Sequence, residues 1–231
     1  MNKEMNTPIE AGGPSIGARM AGEERRLQIL QVAVTLFSQK GFRGTTTREI
    51  ATVAGVSEAM VFRHFANKEE LYAAILDHKA CSGDTLNPEQ IVSEAIAEKN
   101  DRAVFERLAL AALEHHERDR EFQRLLMYSA LEGHELADMF FEKFVKRVYE
   151  LLGSYVRERQ RDGAMALGEP ALIVRAFVGM IIHHSINNNL WDPKRRLLDI
   201  SNADAARSFT DILLNGIGRP IQSENNGATQ L

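Results

Sequence analysis

Between residues 40 and 68, Lys40, Arg43, Arg48, Arg63 and Lys68 stand against only Glu49 and Glu58, a local balance of +3 in a chain whose net charge is -4. Basic side chains grouped in this way suit a polyanion, because each neutralised phosphate releases counterions. The acid is concentrated after residue 80, so the charge pattern is that of a small basic head on an acidic body.

Other chemistry is sparse. The chain has seven histidines. His115-His116 and His183-His184 are adjacent pairs, and neighbours on a helix point about 100° apart, whereas metal ligands on one helix need a spacing of three or four. The first pair reads as solvated; the second reads as polar groups at a pocket or subunit contact, beside Asn187 and Asn188. Cys81 is the single cysteine, so no internal disulfide forms, and zinc spacings are missing. A lone thiol is more often inert than a redox switch. Nucleophile motifs, Gly-rich phosphate loops and metal signatures are lacking. The expectation is a protein that is no enzyme and carries no cofactor or metal.

The elements that must position these residues are helices. Hydrophobic residues make up 44% of the chain, enough for a core, and no segment alternates with period two. Leu27, Leu30, Val34 and Phe37 form one stripe of a helix from about Glu23 to Lys40, stopped by Gly41. Thr46 and Glu49 have the spacing of a capping box, which starts a short helix ending near Gly55. Ser57 caps a third, Glu58 to Phe65, and Asn67 with Glu70 a fourth, running to about Ala80. Ile50, Val53, Val56, Val61 and Phe65 are the expected inward residues. Two short helices about a Gly-containing turn are the content of a helix-turn-helix, whose second helix enters a major groove. Further helices are expected at about 88–98, 102–118, 120–132, 135–161, 170–190 and 203–217. The longest carries Leu136, Phe140, Phe144, Val148, Leu151 and Tyr155 on one stripe. The most apolar stretch, Ala171 to Ile182, is interrupted by Arg175 and too short to span a bilayer. A cytoplasmic protein with no membrane partner is expected. The fold class is all-α: a flexible arm over 1–21, a helix-turn-helix head over 22–80, a larger helical domain over 81–220 and a flexible tail over 221–231.

Residues 23–79 resemble the TetR/AcrR family of regulators. The match lies in Lys40-Gly41-Phe42, the Thr-Thr-Arg start of the second helix, Ala54-Gly55-Val56-Ser57, and Phe62-Arg63-His64-Phe65 followed by Asn67-Lys68-Glu69-Glu70-Leu71. The resemblance implies a homodimer on a pseudo-palindromic double-stranded DNA operator, a C-terminal domain that binds a small hydrophobic or amphipathic effector, and repression relieved by that effector. Carried over position by position, it places Thr47 on phosphate and Arg48 on a base edge, where arginine pairs with guanine. Ser57, Glu58 and Ala59 begin the recognition helix; Glu58 can accept from cytosine and Ala59 can touch a thymine methyl. Arg63 and His64 meet the sugar-phosphate backbone, Phe62 keeps an apolar contact at the same interface, and Lys68 clamps a phosphate. Two positions depart from the family. Phe62 replaces a common Tyr and loses a hydroxyl. Glu58 replaces a common Lys; a carboxylate near phosphate is costly unless it finds a donor, so it is expected to point away from the duplex. A helical adaptor whose head binds protein is the competing reading, opposed by the head's charge.

For the body, the resemblance implies that the last two long helices form a four-helix bundle across a two-fold axis, with Ala176, Gly179, Phe209, Leu213 and Gly216 at the dimer interface. Phe105, Leu108, Met127, Tyr128, Phe140, Phe144, Phe177, Met180 and His183 are candidates for the effector pocket, since aromatic and Met side chains make adaptable walls. Each of the apolar ones can equally be plain core.

Overall fold

The computed structural model describes residues 16–81 and 86–217, and every regular element among them is helical. The order is α1 (Ile16–Lys40), α2 (Thr47–Val53), α3 (Glu58–His64), α4 (Lys68–Cys81), α5 (Pro88–Ala97), α6 (Asp101–Arg118), α7 (Arg120–Glu132), α8 (Glu135–Phe140), a π-turn (Phe141–Val145), α9 (Lys146–Arg161), α10 (Pro170–Ile186), a second π-turn (Asn187–Trp191) and α11 (Asn202–Ile217). The chain divides into two compact units, one through Ile75 and one from Leu76. The expected tail over 221–231 and the first fifteen residues of the expected arm lie outside the described residues. From Ile16 onward that arm is helical, a correction consistent with the helix-forming run Ala18-Arg19-Met20-Ala21.

In the first unit, α1 buries Ile29, Leu30, Ala33, Val34, Leu36 and Phe37 against Ile50, Ala51 and Ala54 of the α2 region, Val61 and Phe65 of the α3 region, and Leu71, Tyr72 and Ile75 of α4. The Phe37 and Tyr72 rings meet edge to face at 4.7 Å, and Phe42 closes the cluster 5.0 Å from Tyr72. Thr45, fully buried, donates to the carbonyl of Gly41 at 2.9 Å and ties off the α1–α2 turn. Two expected core residues are outside. Leu27 is 37% exposed, on the rim of the face that buries Leu30 and Val34. Val53 is 62% exposed: at 3.6 residues per turn it stands about 110° from the centre of the face defined by Ile50, Ala51 and Ala54. Val56 is half-buried.

The second unit is built on α6, α9, α10 and α11, with Phe105 and Phe177 edge to face at 5.1 Å among Val104, Leu108, Leu152, Val156 and Val174. The 135–161 segment, expected as one helix, is interrupted by the π-turn. Its apolar stripe advances by fours from Leu136 to Val148, faster than the 3.6-residue period, and a π-turn takes up that overrun.

Gly55 sits at φ 65°, the left-handed region, and no atom lies within 4 Å of where its Cβ would be. Gly55→Ala therefore has only backbone strain to overcome. It is expected to lower head stability by about 1–2 kcal/mol in urea unfolding, and an unchanged midpoint would contradict that conformation.

Candidate nucleic-acid interface and effector cavity

The two helices of the basic head are held by their own side chains. Thr46 Oγ1 accepts from the Glu49 amide at 3.2 Å while Glu49 accepts from the Thr46 amide at 3.1 Å, the full capping box. Lys40 pairs with Glu49 at 2.7 Å and with the capping bonds holds that carboxyl below its ordinary range. The left-handed Gly55 then lets the Val56 amide turn back to the Ala51 carbonyl at 3.0 Å. Ser57 caps α3, accepting from the Met60 amide at 3.2 Å. For α4, Asn67 Oδ1 accepts from the Glu70 amide at 2.7 Å, but Glu70 returns to the Ala66 amide at 2.6 Å, one residue earlier than a capping box requires.

Of the sequence-derived DNA contacts, Arg48, Ser57, Ala59, Phe62 and Arg63 are exposed, with Thr47, Glu58 and His64 half-buried beside them. Arg43, in the α1–α2 turn, is also exposed. No carboxylate lies within ion-pair reach of Arg43, Arg48 or Arg63 among the described residues. His64 is pushed below its ordinary pKa by burial first and by Arg63 and Arg26 next, so it is neutral at pH 7. Arg26 itself lies 4.8 Å over the Phe65 ring.

Thr47 and Lys68 are engaged otherwise than expected. Thr47 donates its hydroxyl to Glu58 at 2.6 Å. Glu58 thus finds the donor a carboxylate near phosphate needs, and the pair braces α2 against α3 rather than reaching out. Lys68, expected as a phosphate clamp, donates to the carbonyls of Phe42 at 2.7 Å and Thr45 at 2.8 Å, with its ammonium 4.0 Å over the Phe42 ring. It fastens α4 to the α1–α2 turn, because two backbone carbonyls and a π-face solvate the charge within reach of its stem.

The second unit holds a cavity of about 180 Å³. Of the expected pocket residues, Leu108, Phe140, Phe144 and Phe177 line it. Phe105, Met127, Tyr128, Met180 and His183 do not: Phe105 is fully buried behind Phe177, and His183 is exposed on α10 with its carbonyl accepting from Asn187 at 2.8 Å. The lining adds Phe122, Lys143, Arg147, Tyr149, Val178, Ile181, Ile182, His115 and His116. The signal for Lys143 and Arg147 was present in the sequence, since they run beside Phe140 and Phe144 at the same spacing of four. His116 corrects the solvated reading. Its Nδ1 lies 2.9 Å from Ser185 Oγ, and burial first, with His115 second, pushes its pKa to about 4. His184 is buried too, against the Phe209 ring at 5.5 Å, with Asn188 2.9 Å from its Nε2.

Of the expected dimer contacts, Ala176, Gly179 and Gly216 are exposed. Leu213 is buried in its own core, and Phe209 packs partly against that core. Phe209 meets the His184 ring of α10, and α11 packs on both α6 and α10; the outward apolar residues include Leu172 on α10 and Ile212 on α11. Among the described residues no group of three or more His, Cys, Asp or Glu is placed to hold a metal ion, and no helix is long and apolar enough to cross a membrane.

Two short capped helices about a left-handed glycine, with arginines on their outer face that have no acidic partner among the described residues, form a helix-turn-helix. The profile described as "Bacterial regulatory proteins, tetR family" matches residues 29–75. An uncharacterized HTH-type transcriptional regulator of Bacillus subtilis, YvkB, is 29% identical over 76% of this chain and 92% of its own. The solved structure of NalD, described as the secondary repressor of the MexAB-OprM multidrug efflux pump in Pseudomonas aeruginosa, is 26% identical with a TM-score of 0.65, covering 87% of this chain and 98% of its own. AibR, solved with isovaleryl coenzyme A and operator DNA, shares the fold at 20% identity and a TM-score of 0.61, over 81% of this chain and 97% of its own. The matched head is that of the tetR family of bacterial regulatory proteins, and over most of its length the chain is similar to HTH-type transcriptional regulators.

Two outcomes follow from the observed contacts. Lys68→Ala should lower head stability by about 1–3 kcal/mol, the worth of a charged hydrogen-bonding group. It should leave the salt dependence of DNA binding unchanged; a slope shallower by about one unit would instead make Lys68 a phosphate contact. His116 binds its proton less readily in the folded chain than in the unfolded one. As the pH falls below 6.5 the unfolded state takes up that proton, so stability is lost progressively down to about pH 4. The loss attributable to His116 is up to about 3 kcal/mol, read as the difference between wild type and His116→Gln in denaturation from pH 7 to pH 4. Parallel profiles for the two would contradict the burial of a neutral ring.

Proposed function

We propose that this protein is a homodimeric repressor that reads a pseudo-palindromic operator through α2 and α3 and is released by an effector bound in the cavity of its body. The observation that carries the reading is the outer face of the head: Arg48, Ala59, Phe62 and Arg63 are exposed together, and neither arginine has an acidic partner among the described residues. In this reading the head extends through about residue 80 and the body over 81–220. Arg48 reads a base edge, Ser57 and Ala59 lie at the first turn of the recognition helix, and Phe62, Arg63 and His64 meet the sugar-phosphate backbone. Arg43 adds a phosphate contact that the sequence reading did not include.

The second copy would cover Leu172, Ala176 and Gly179 on α10 with Ile212 and Gly216 on α11, where small residues allow close approach of helices. A dimer gives two heads a fixed separation, so half-sites one helical turn or a multiple apart become a geometric requirement. An effector that prefers a dimer with its heads spaced differently must lower DNA affinity, and DNA must lower effector affinity by the same factor. The NalD description supports repression, and AibR, solved with both a ligand and operator DNA, supports an effector and an operator acting on one protein. The setting of such a regulator is the cytoplasm.

The test begins with gel shifts on DNA upstream of the protein's own gene, followed by single base-pair substitutions in the bound segment. Arg48→Ala should cost roughly 1–3 kcal/mol and abolish the preference at one base pair in each half-site. An equal loss on bound and random DNA would reduce Arg48 to a phosphate contact, and no shift on any DNA would defeat the reading.

A further inference from the structure

The cavity wall combines an apolar surface with a basic edge. Phe140, Lys143, Phe144 and Arg147 follow one another along α8, the π-turn and α9, so two rings and two cations run side by side. Phe122 meets Phe140 edge to face at 6.0 Å, and Phe140 lies 5.2 Å from Phe144. Among the described residues no Asp or Glu lines the cavity. His116, pushed down by burial, adds no charge at neutral pH. The two cations are held from outside, Lys143 by Asp77 at 2.6 Å and Arg147 by both oxygens of Glu89 at 3.1 Å. All four side chains are roughly half exposed, with Asp77 the most open at 62%. Exposed pairs of this kind are weak and exchange readily. An anion approaching from the apolar side would meet the same cations where water screens them less.

We propose that the cavity takes a slender anionic amphiphile, with its chain among Phe122, Phe140 and Phe177 and its acid group on Lys143 and Arg147 in place of Asp77 and Glu89. This rests on the reading of the cavity as the effector site. The volume limits the occupant: about 180 Å³ lies below the roughly 300–1,000 Å³ typical of pockets for drug-sized ligands, so one alkyl chain suits it better than a fused-ring compound. The charge selects the head group, because a cationic amphiphile would meet two cations and no carboxylate among the described residues of the wall, and a neutral one would leave the basic edge unused. Asp77 makes the site a reporter as well, since it stands on α4 and loses its partner when the ligand takes Lys143.

Calorimetry on the full chain with decanoate, decanol and decyltrimethylammonium, each below its micelle threshold, separates chain from head group. Decanoate should bind about tenfold or more tighter than decanol, the worth of a charge-assisted bond, and the ammonium compound weakest. Lys143→Glu combined with Arg147→Glu should reverse the order of the two ions. Asp77→Asn should tighten decanoate a few-fold by removing its competitor, and Val178→Trp, which fills the cavity, should abolish binding. Equal affinity for decanoate and decanol would overturn the anionic preference, and decanoate binding that survives Val178→Trp would place the site elsewhere. Absence of binding by all three would overturn the proposal as a whole. DNA binding measured without any amphiphile is independent of these outcomes, so failure here is distinguishable from failure of the regulator reading.

Discussion

A helix of seven residues does not persist in water on its own, because nucleation costs more than so few hydrogen bonds return. The recognition helix α3 is that short, and so is α2. Both exist because the head buries one face of each and closes their ends with side chains. Val61 and Phe65 anchor α3, Ile50 and Ala51 anchor α2, and α1 supplies the floor with Leu30, Ala33 and Phe37. The Thr46–Glu49 box and the Ser57 cap satisfy amides that would otherwise face water unpaired. Lys68 and the Thr47–Glu58 bond complete the bracing. What is left unbraced is the outer face, and that is where the unpaired arginines stand.

The body solves a different problem. It carries histidines and asparagines in a helical core, where a buried polar group is costly unless hydrogen-bonded. Each buried ring is given a partner. His116 has Ser185, and Asn189 in the second π-turn reaches the His116 carbonyl at 3.0 Å and Gln123 at 2.7 Å. Burial keeps His116 neutral. The first π-turn keeps Phe140 and Phe144 on the cavity side while the helix continues into α9, so an irregularity in the backbone and an opening in the core occur at the same place. The cavity is thereby apolar within and basic at one edge.

Local chemistry was legible in the sequence. Capping residues and left-handed glycines act within a few residues of themselves, so Thr46, Ser57, Asn67, Gly41 and Gly55 could be read directly. Helical periodicity gave most of the helices and their limits, but ran α8 and α9 together as one. What it could not give was the neighbour each face meets. Phe209 and Leu213 form an apolar stripe that is equally suited to a subunit contact, and the structure packs it into the core of its own unit, with Phe209 against His184. Phe105 and Phe140 are both aromatic and helical, yet one is packed solid and the other faces a cavity, a distinction set by residues far away in the chain. Lys68 carries a charge that suits phosphate, but its stem reaches two carbonyls brought near only by the α1–α2 turn. The π-turns have no composition of their own, and the sequence reading ran plain helices through both.

The head is thus a rigid support for a few unpaired cations, joined in one chain to a larger helical body with a cavity of its own. The proposed affinity for DNA is both electrostatic and sequence-dependent, and fluorescence anisotropy of labelled DNA across a salt series measures both at once. On the segment upstream of its own gene, log affinity should fall with log salt by about 0.9 for each phosphate neutralised. A scrambled duplex of the same length and composition should bind about a thousandfold or more weaker at physiological salt. Equal affinities for the two duplexes, or an affinity indifferent to salt, would contradict the account.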